Sequence, residues 1–233
     1  DQRGSGASLV PGASGAATVG GAAPASYDDE APAGDPRSWR VPVRDLETVV
    51  RRVVAGEGGG GEAFPALRRS AYALVGVGLG ATFVAEAAGE LVQDGTLPPL
   101  AAVVLLSPVA NAHGLGIWPA LGEELLPRGV GVFAAAGSRA GMRPEDAASG
   151  LGSEAQAVNA IAAMFRGGAV TRIYTSDAHG APLLNVQAEL APSVADFLAA
   201  RLAAPPVSGE GASPSGAAGA SPSPAIPLTP AGR

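Results

Sequence analysis

Three alternating glycines stand between a short apolar segment and a helical one. Residues 69–75 (R-S-A-Y-A-L-V) have the composition of a buried strand and lead directly into Gly76-Val77-Gly78-Leu79-Gly80. Residues 81–93 follow with small apolar side chains on one side and Glu86 and Glu90 on another, a spacing that predicts a helix. Because glycines let strand and helix approach closely at such a turn, this feature favours architectures built from strand–turn–helix units.

The alternation of strands and helices continues along the chain. Further helices are predicted over residues 43–55, 154–165 and 192–202, and further strands over 101–106, 129–136 and 169–174. Such alternation indicates an α/β fold, with a mainly parallel sheet and helices on both faces. In such sheets, binding and catalytic residues lie at the carboxyl ends of the strands. In this chain those ends are residues 76–80, 107–111, 137–139 and 177–179.

Both ends of the chain differ from this central segment. Residues 1–37 and 204–233 are mostly Gly, Ala, Ser and Pro, and they lack the apolar periodicity that offsets chain entropy. We therefore predict two disordered tails around one domain at residues 38–203. With about 165 residues, a domain of this size can bury a core.

Composition excludes several classes of function. The formal net charge is −6, and the absence of any long Lys/Arg run argues against a nucleic-acid partner. The lack of cysteine excludes disulfides and a thiol nucleophile. No apolar run approaches the length of a transmembrane segment. The sequence leaves the compartment open between the cytoplasm and, if a signal peptide was removed before Asp1, the periplasm or the outside of the cell.

The glycine turn has two functional interpretations besides a purely structural one. In a nucleophile elbow of the form Gly-x-Ser-x-Gly, Gly78 holds the nucleophile position without a side chain, and the backbone N–H of Leu79 still serves as an oxyanion donor. In a dinucleotide fingerprint, G-V-G-L-G-A (76–81) contacts a pyrophosphate. That fingerprint expects an acidic residue after the next strand, where this sequence has Ser107-Pro108.

The segment from Val43 to Leu202 resembles the C-terminal two-thirds of an α/β-hydrolase. An amphipathic helix comes first, and the other matching pieces follow in the family's order. They are A-L-V-G-V-G-L-G-A (73–81), A-V-V-L-L-S-P-V (102–109), V-G-V-F-A-A-A-G-S-R (130–139), I-Y-T-S-D-A-H-G (173–180) and V-A-D-F-L-A-A-R-L (194–202). In particular, the chain resembles a bacterial hydrolase-like family of unknown function whose elbow reads Gly-His-Gly-x-Gly-Ala, with Val77 in place of the histidine.

The resemblance implies roles for several residues. Gly78 stands at the nucleophile position, Gly76 and Gly80 form the turn around it, and His179 stands at the position of the general base. The early strands of the family are not recognisable upstream of residue 43. The resemblance therefore implies a sheet that is truncated on its N-terminal side.

The position of the catalytic acid departs from the family. The family places the acid soon after the strand that ends here in Gly137-Ser138, but Arg139-Ala140 follows. The nearest carboxylates, Glu145 and Asp146, fall where a helix is expected to start. A catalytic triad needs an acid that fixes the tautomer of its histidine, so this departure weakens the case for catalysis.

Ser107 and the two histidines are the remaining candidates. Ser107 ends a predicted strand, and together with His179 it would give an esterase-like serine hydrolase with a displaced nucleophile. The simpler interpretation makes Ser107 a turn residue and His179 a loop residue without chemistry. His113 and His179 lack the spacing of a metal site, and we predict no metal.

These observations favour a degenerate α/β-hydrolase-like protein. We expect a domain without catalytic activity that binds a small acyl or peptide-like ligand or a protein partner. Two alternatives stay open: an active hydrolase of carboxylic esters that uses Ser107 and His179, and a dinucleotide-binding Rossmann-like domain. We predict no cofactor for the leading interpretation.

Overall fold

A computed structural model of the chain describes residues 39–55, 71–112, 114–142 and 149–203. The two predicted tails lie outside these residues, and so do His113, Glu145 and Asp146. None of the described helices is long and apolar enough to cross a membrane.

Helices and strands alternate through most of the described segments. The helices are α1 (Arg40–Val50, followed by a wider turn at Arg51–Ala55), α2 (Leu79–Leu91), α3 (Ile117–Pro119 and a wider continuation at Ala120–Leu125), α4 (Ser153–Phe165), α5 (Ala181–Val186) and α6 (Leu190–Ala203). The strands are β1 (Tyr72–Val77), β2 (Leu100–Leu106), β3 (Asn111–Ala112), β4 (Leu115–Gly116), β5 (Gly131–Gly137) and β6 (Ala169–Tyr174).

Four strands form one parallel sheet in the order β1-β2-β5-β6. Each strand therefore lies beside the next sheet strand in the chain, and β3 and β4 pair separately as a short antiparallel hairpin. The register aligns Val77 with Leu106, Leu106 with Ala135, and Gly137 with Tyr174. The carboxyl ends of all four strands consequently lie along one edge of the sheet, which we call the carboxyl edge.

Helices cover both faces of the sheet, as predicted. Alternate side chains of β2 point to opposite faces, so that Val103 and Leu105 join one core cluster while Val104 and Leu106 join another. The first cluster packs against α1, α2, α3 and α4. The second is smaller and packs against α5 and α6. The prediction of an α/β fold with a parallel sheet is confirmed.

The predicted order of elements is incomplete at two places. The sequence placed two strands in direct succession between residues 101 and 136, but the structure has the β3–β4 hairpin and α3 between β2 and β5. Neighbouring parallel strands require such a crossover connection. Helix α5 was also missed, because its six residues are too few to show a clear period.

Candidate functional site

Gly78 forms the turn between β1 and α2. Its φ of 59° and ψ of −126° lie in a region that side chains of L-residues disfavour. Its N–H donates to the Leu106 carbonyl at 2.8 Å, and its carbonyl accepts from the Ala81 N–H at 3.0 Å. A Cβ added at Gly78 would have no heavy atom within 4 Å. The glycine is therefore required by the backbone shape and not by lack of space.

Gly76 has a different role in the same turn. A Cβ at this position would lie 2.5 Å from both the Ala81 Cα and the Gly80 carbonyl oxygen. The glycine thus allows the end of β1 to touch the first turn of α2. Gly80, by contrast, has open space at the Cβ position. Of the three glycines, Gly76 is therefore the one that the close contact between strand and helix requires.

The first turn of α2 points its backbone N–H groups toward the carboxyl edge. The first N–H groups of an α-helix have no partner within the helix, and they carry the positive end of its dipole. Helix α2 has Gly78 at its N-cap and no capping side chain. The arrangement is suited to an oxygen atom of a ligand, which would accept from the N–H of Leu79.

Ser107 follows β2 in an unusual backbone conformation. Its φ is 53°, one of two positive values among the described residues other than glycine, and its side chain is completely buried. Its N–H donates to the Ala135 carbonyl at 2.7 Å. Its Oγ accepts a hydrogen bond from the Gly180 N–H at 2.8 Å. The residue therefore connects β2 to the loop that follows β6.

Glu154 brings a buried carboxyl group to this edge from the first turn of α4. Only 7% of the residue is exposed, and burial raises the pKa of its carboxyl group. The nearby Ser107 hydroxyl and the charge of His179 act in the opposite direction and lower that pKa. The Oε2 atom has no hydrogen-bond partner in the described part of the chain.

The loop after β6 carries His179 to the same edge. The Arg139 N–H donates to the Ser176 carbonyl at 2.9 Å, and the Ala178 N–H donates to the Ser176 Oγ at 3.0 Å. The loop crosses so close to β5 that a Cβ at Gly137 would lie 2.6 Å from the Ala178 carbonyl oxygen. His179 itself is exposed to solvent.

The structure brings together Gly78, Ser107 and the His179 loop. Gly180, next to His179, would place a Cβ 3.8 Å from the Val77 Cγ1, so the loop also reaches the end of β1. No hydrogen bond joins Ser107 to His179 within the described residues. Instead, the Ser107 hydroxyl accepts a hydrogen bond from the Gly180 N–H.

Glu154 is the residue of this site that the sequence interpretation missed. The sequence prediction considered Glu145 and Asp146, the first carboxylates after β5. A signal was nevertheless present, because Glu154 shares a helical face with Ala157, Val158 and Ile161, all of which are buried. A carboxylate on the apolar face of a helix is unusual and indicates a specific partner.

The described residues show no candidate metal site. No group of three or more His, Cys, Asp or Glu side chains in the described ranges could hold an ion. Two cavities of about 330 and 310 Å³ lie away from the carboxyl edge, one beside Pro98 and Arg128 and one between α1 and β1.

Comparison with known proteins found no relative: no family model, no curated protein and no solved structure matches this chain.

Proposed function

We propose that this chain is an α/β-hydrolase-like domain that binds a small acyl or peptide-like ligand at its carboxyl edge without hydrolysing it. The observation that carries the proposal is the conformation of Gly78. This residue makes a sharp turn with a positive φ between a strand and a helix, as expected of a nucleophile elbow, and it has room for a side chain that glycine lacks.

The surroundings of Gly78 support binding of an acyl oxygen. The uncapped start of α2 offers the Leu79 N–H as a donor beside the position of the missing nucleophile. The His179 loop reaches the same point through Gly180. A carbonyl or carboxylate oxygen would accept from Leu79, and the remainder of an acyl or peptide group would extend along this loop.

The observations on Ser107 argue against the esterase alternative. A nucleophile must be within reach of its base and of the substrate. Ser107 is completely buried, and its hydroxyl accepts a hydrogen bond from the Gly180 N–H. The dinucleotide alternative lacks support as well. No acidic residue directly follows β2, where Ser107 and Pro108 stand instead and are both buried.

Binding is tested by NMR on the ¹⁵N-labelled full chain, with N-acetyl-alanine amide and octanoate as probes. We expect either probe to shift the amide signals of Leu79 and Gly80. Leu79→Pro removes the donor at the first helical position, where proline is tolerated, whereas Leu79→Ala keeps the donor. Binding should be lost in the first variant and kept in the second. Equal binding by both variants would contradict the proposed contact.

Absence of catalysis is tested with a fluorophosphonate probe and p-nitrophenyl acetate, with His179→Ala as the control. We expect no labelling of the wild-type chain and no turnover above the control. Labelling and turnover that both disappear in His179→Ala would instead support the esterase alternative.

A further inference from the structure

The outer side of β1 is an open edge of the sheet, which we call the β1 edge. Within the described residues, β1 pairs with β2 on one side and with no strand on the other. The Tyr72 N–H and the Gly78 N–H donate, at 3.1 and 2.8 Å, to carbonyls of β2 and of the residue before it. Backbone groups of a strand turn to alternate sides from one residue to the next. The N–H and C=O groups of Ala73, Val75 and Val77 therefore point outward.

Apolar side chains are exposed on both faces of the sheet at the β1 edge. Val75 is 50% exposed on the face of the smaller cluster, against which its neighbours Ala73 and Val77 pack. Val49 of α1 is 56% exposed on the opposite face, where it lines the cavity between α1 and β1 together with Leu74. Unpaired backbone groups beside exposed apolar side chains are a template on which another strand pairs.

The other edge of the sheet differs from the β1 edge in charge. Strand β6 carries the exposed Arg172, and charged side chains are one means by which sheets prevent pairing at an edge. Strand β1, with the sequence Y-A-L-V-G-V, carries no charged residue. The β1 edge is thus the one of the two that is suited to pairing.

We propose that the chain forms a homodimer in which β1 pairs antiparallel with β1 of a second copy, so that two sheets join into one. The two-fold axis passes beside Val75 and is perpendicular to the sheet. Val75 then lies opposite Val75 of the partner subunit, and Ala73 lies opposite Val77 of the partner subunit. This register pairs all the outward N–H and C=O groups of the three residues with one another.

A second copy fits the β1 edge better than an extended peptide does. A two-fold axis perpendicular to the sheet brings like faces together, so that α1 approaches α1 of the second copy on one face while the Val75 side chains meet on the other. A peptide strand alone would leave Val49 exposed. Stable interfaces bury about 800 Å² per partner, and the contact through α1 extends this interface beyond a single strand.

The dimer is tested by analytical ultracentrifugation of the full chain without any ligand. At high micromolar concentration, the wild type should have twice the chain mass of 22.7 kDa. Val75→Lys places like charges opposite each other at the axis, so this variant should have the mass of the monomer. Ile173→Lys is the matched control and should remain dimeric, because Ile173 is 37% exposed on the other edge strand. A monomeric wild type or a dimeric Val75→Lys would overturn the proposal.

Hydrogen exchange of the wild type identifies the groups that pair. The amides of Ala73, Val75 and Val77 should exchange about tenfold more slowly in the dimer than after dilution to the monomer. The Leu74 amide faces β2 and should be protected under both conditions. Protection of the three outward amides in the monomer would mean that a segment of the same chain covers the β1 edge, and fast exchange in the dimer would mean that the copies meet elsewhere. Either result would overturn the proposal.

Discussion

Three residues with positive φ occur together at the carboxyl edge. Gly78 has a φ of 59°, Ser107 of 53° and Gly180 of 62°. Each follows or faces the end of a parallel strand, where the chain must turn sharply to reach the next element. Glycine adopts such angles at little cost, so the strain at this edge lies at Ser107, and strained residues are often found at functional sites.

Replacement of Gly78 by alanine should destabilise the fold through the backbone alone. The added Cβ has open space, so the expected cost of about 1–3 kcal/mol comes from the disfavoured conformation. Gly80→Ala is the matched control two residues later, because it also has open space but lies within helix α2 without a positive φ. Chemical denaturation should show Gly80→Ala equal to or more stable than the wild type. Equal losses in both variants would contradict this account.

The glycine turn could be predicted from the sequence, but the residues that face it could not. The positive φ of Gly78 could be expected, since glycine is the usual residue for such a turn. The positive φ of Ser107 has no signature in the sequence. The approach of Glu154 to Ser107 and His179 depends on how α4 packs across the sheet, and no local pattern specifies that packing.

Among the elements, long apolar strands were predicted best. Strand β6 has the predicted bounds, and β2 differs by one residue, because β2 is wholly apolar, β6 is rich in β-branched residues, and both lie between clear turn signals. Helix α3 was missed because Pro119 and Gly122 interrupt its short pattern. The first strand was predicted to begin three residues and to end two residues too early. In the structure, β1 continues through Gly76 and Val77, which we had assigned to the turn.

Helix α1 is joined to α2 by charged groups as well as by its apolar face. Arg40 bonds to Glu90 at 3.0 Å, and its other nitrogen lies 3.6 Å from Glu86. Burial is the main cause that raises the pKa of the Glu47 carboxyl to about 7, and Glu90 raises it further, while Arg51 and Arg44 oppose the shift. The interface between α1 and α2 thus contains two carboxyl groups in proximity.

The pH dependence of stability should report on Glu47. Its folded pKa of about 7 exceeds the ordinary value of 4.5, so the folded chain binds more protons than the unfolded chain between these values. The contribution is therefore fully present below pH 4.5 and is lost as the pH rises to about 7. Glu47→Gln should remove this slope and raise the melting temperature at about pH 8.

A matched control separates this effect from the general loss of charge. Glu123 is an exposed carboxylate on α3, and Glu123→Gln should keep the wild-type slope. Thermal melts of the three proteins across the pH range provide the comparison. A slope that survives in Glu47→Gln would show that another group titrates at this interface.

The two faces of the sheet differ in the size of the hydrophobic cluster that helices bury against them. Among the described residues, four helices contribute to the larger cluster, whereas two helices, α5 and α6, cover the other face. The His179 loop leads from β6 into the helices of this smaller side. At the carboxyl edge, Glu154 therefore comes from α4 on the side of the larger cluster, whereas the His179 loop leads to the side of the smaller one.

The fold class could be predicted from the sequence, but this asymmetry could not. Alternation of strands and helices indicates a parallel sheet whatever the distribution of helices between its faces. The distribution follows from the strand order β1-β2-β5-β6, in which the connections through α2, α3 and α4 all pass over the same face. Strand order depends on contacts between distant segments, which the local pattern of residues does not encode.

The smaller face should therefore unfold locally when one anchor is removed. The Phe197 ring of α6 lies 5.5 Å from the Phe133 ring of β5, measured between centroids, and Phe197 is buried. Truncation of a core phenylalanine typically costs about 3–5 kcal/mol, and Phe197→Ala removes the main aromatic contact of α6 with the sheet.

Hydrogen exchange can locate that loss. In Phe197→Ala, the amides of α6 should exchange much faster while those of β2 and β5 keep most of their protection, because the larger cluster still holds the strands. Leu202→Ala, on an exposed position of the same helix, should change neither set. If the amides of α6 and of the central strands instead accelerate by the same factor in Phe197→Ala, the two faces form one cooperative unit. In that case the His179 loop is held as firmly as the core.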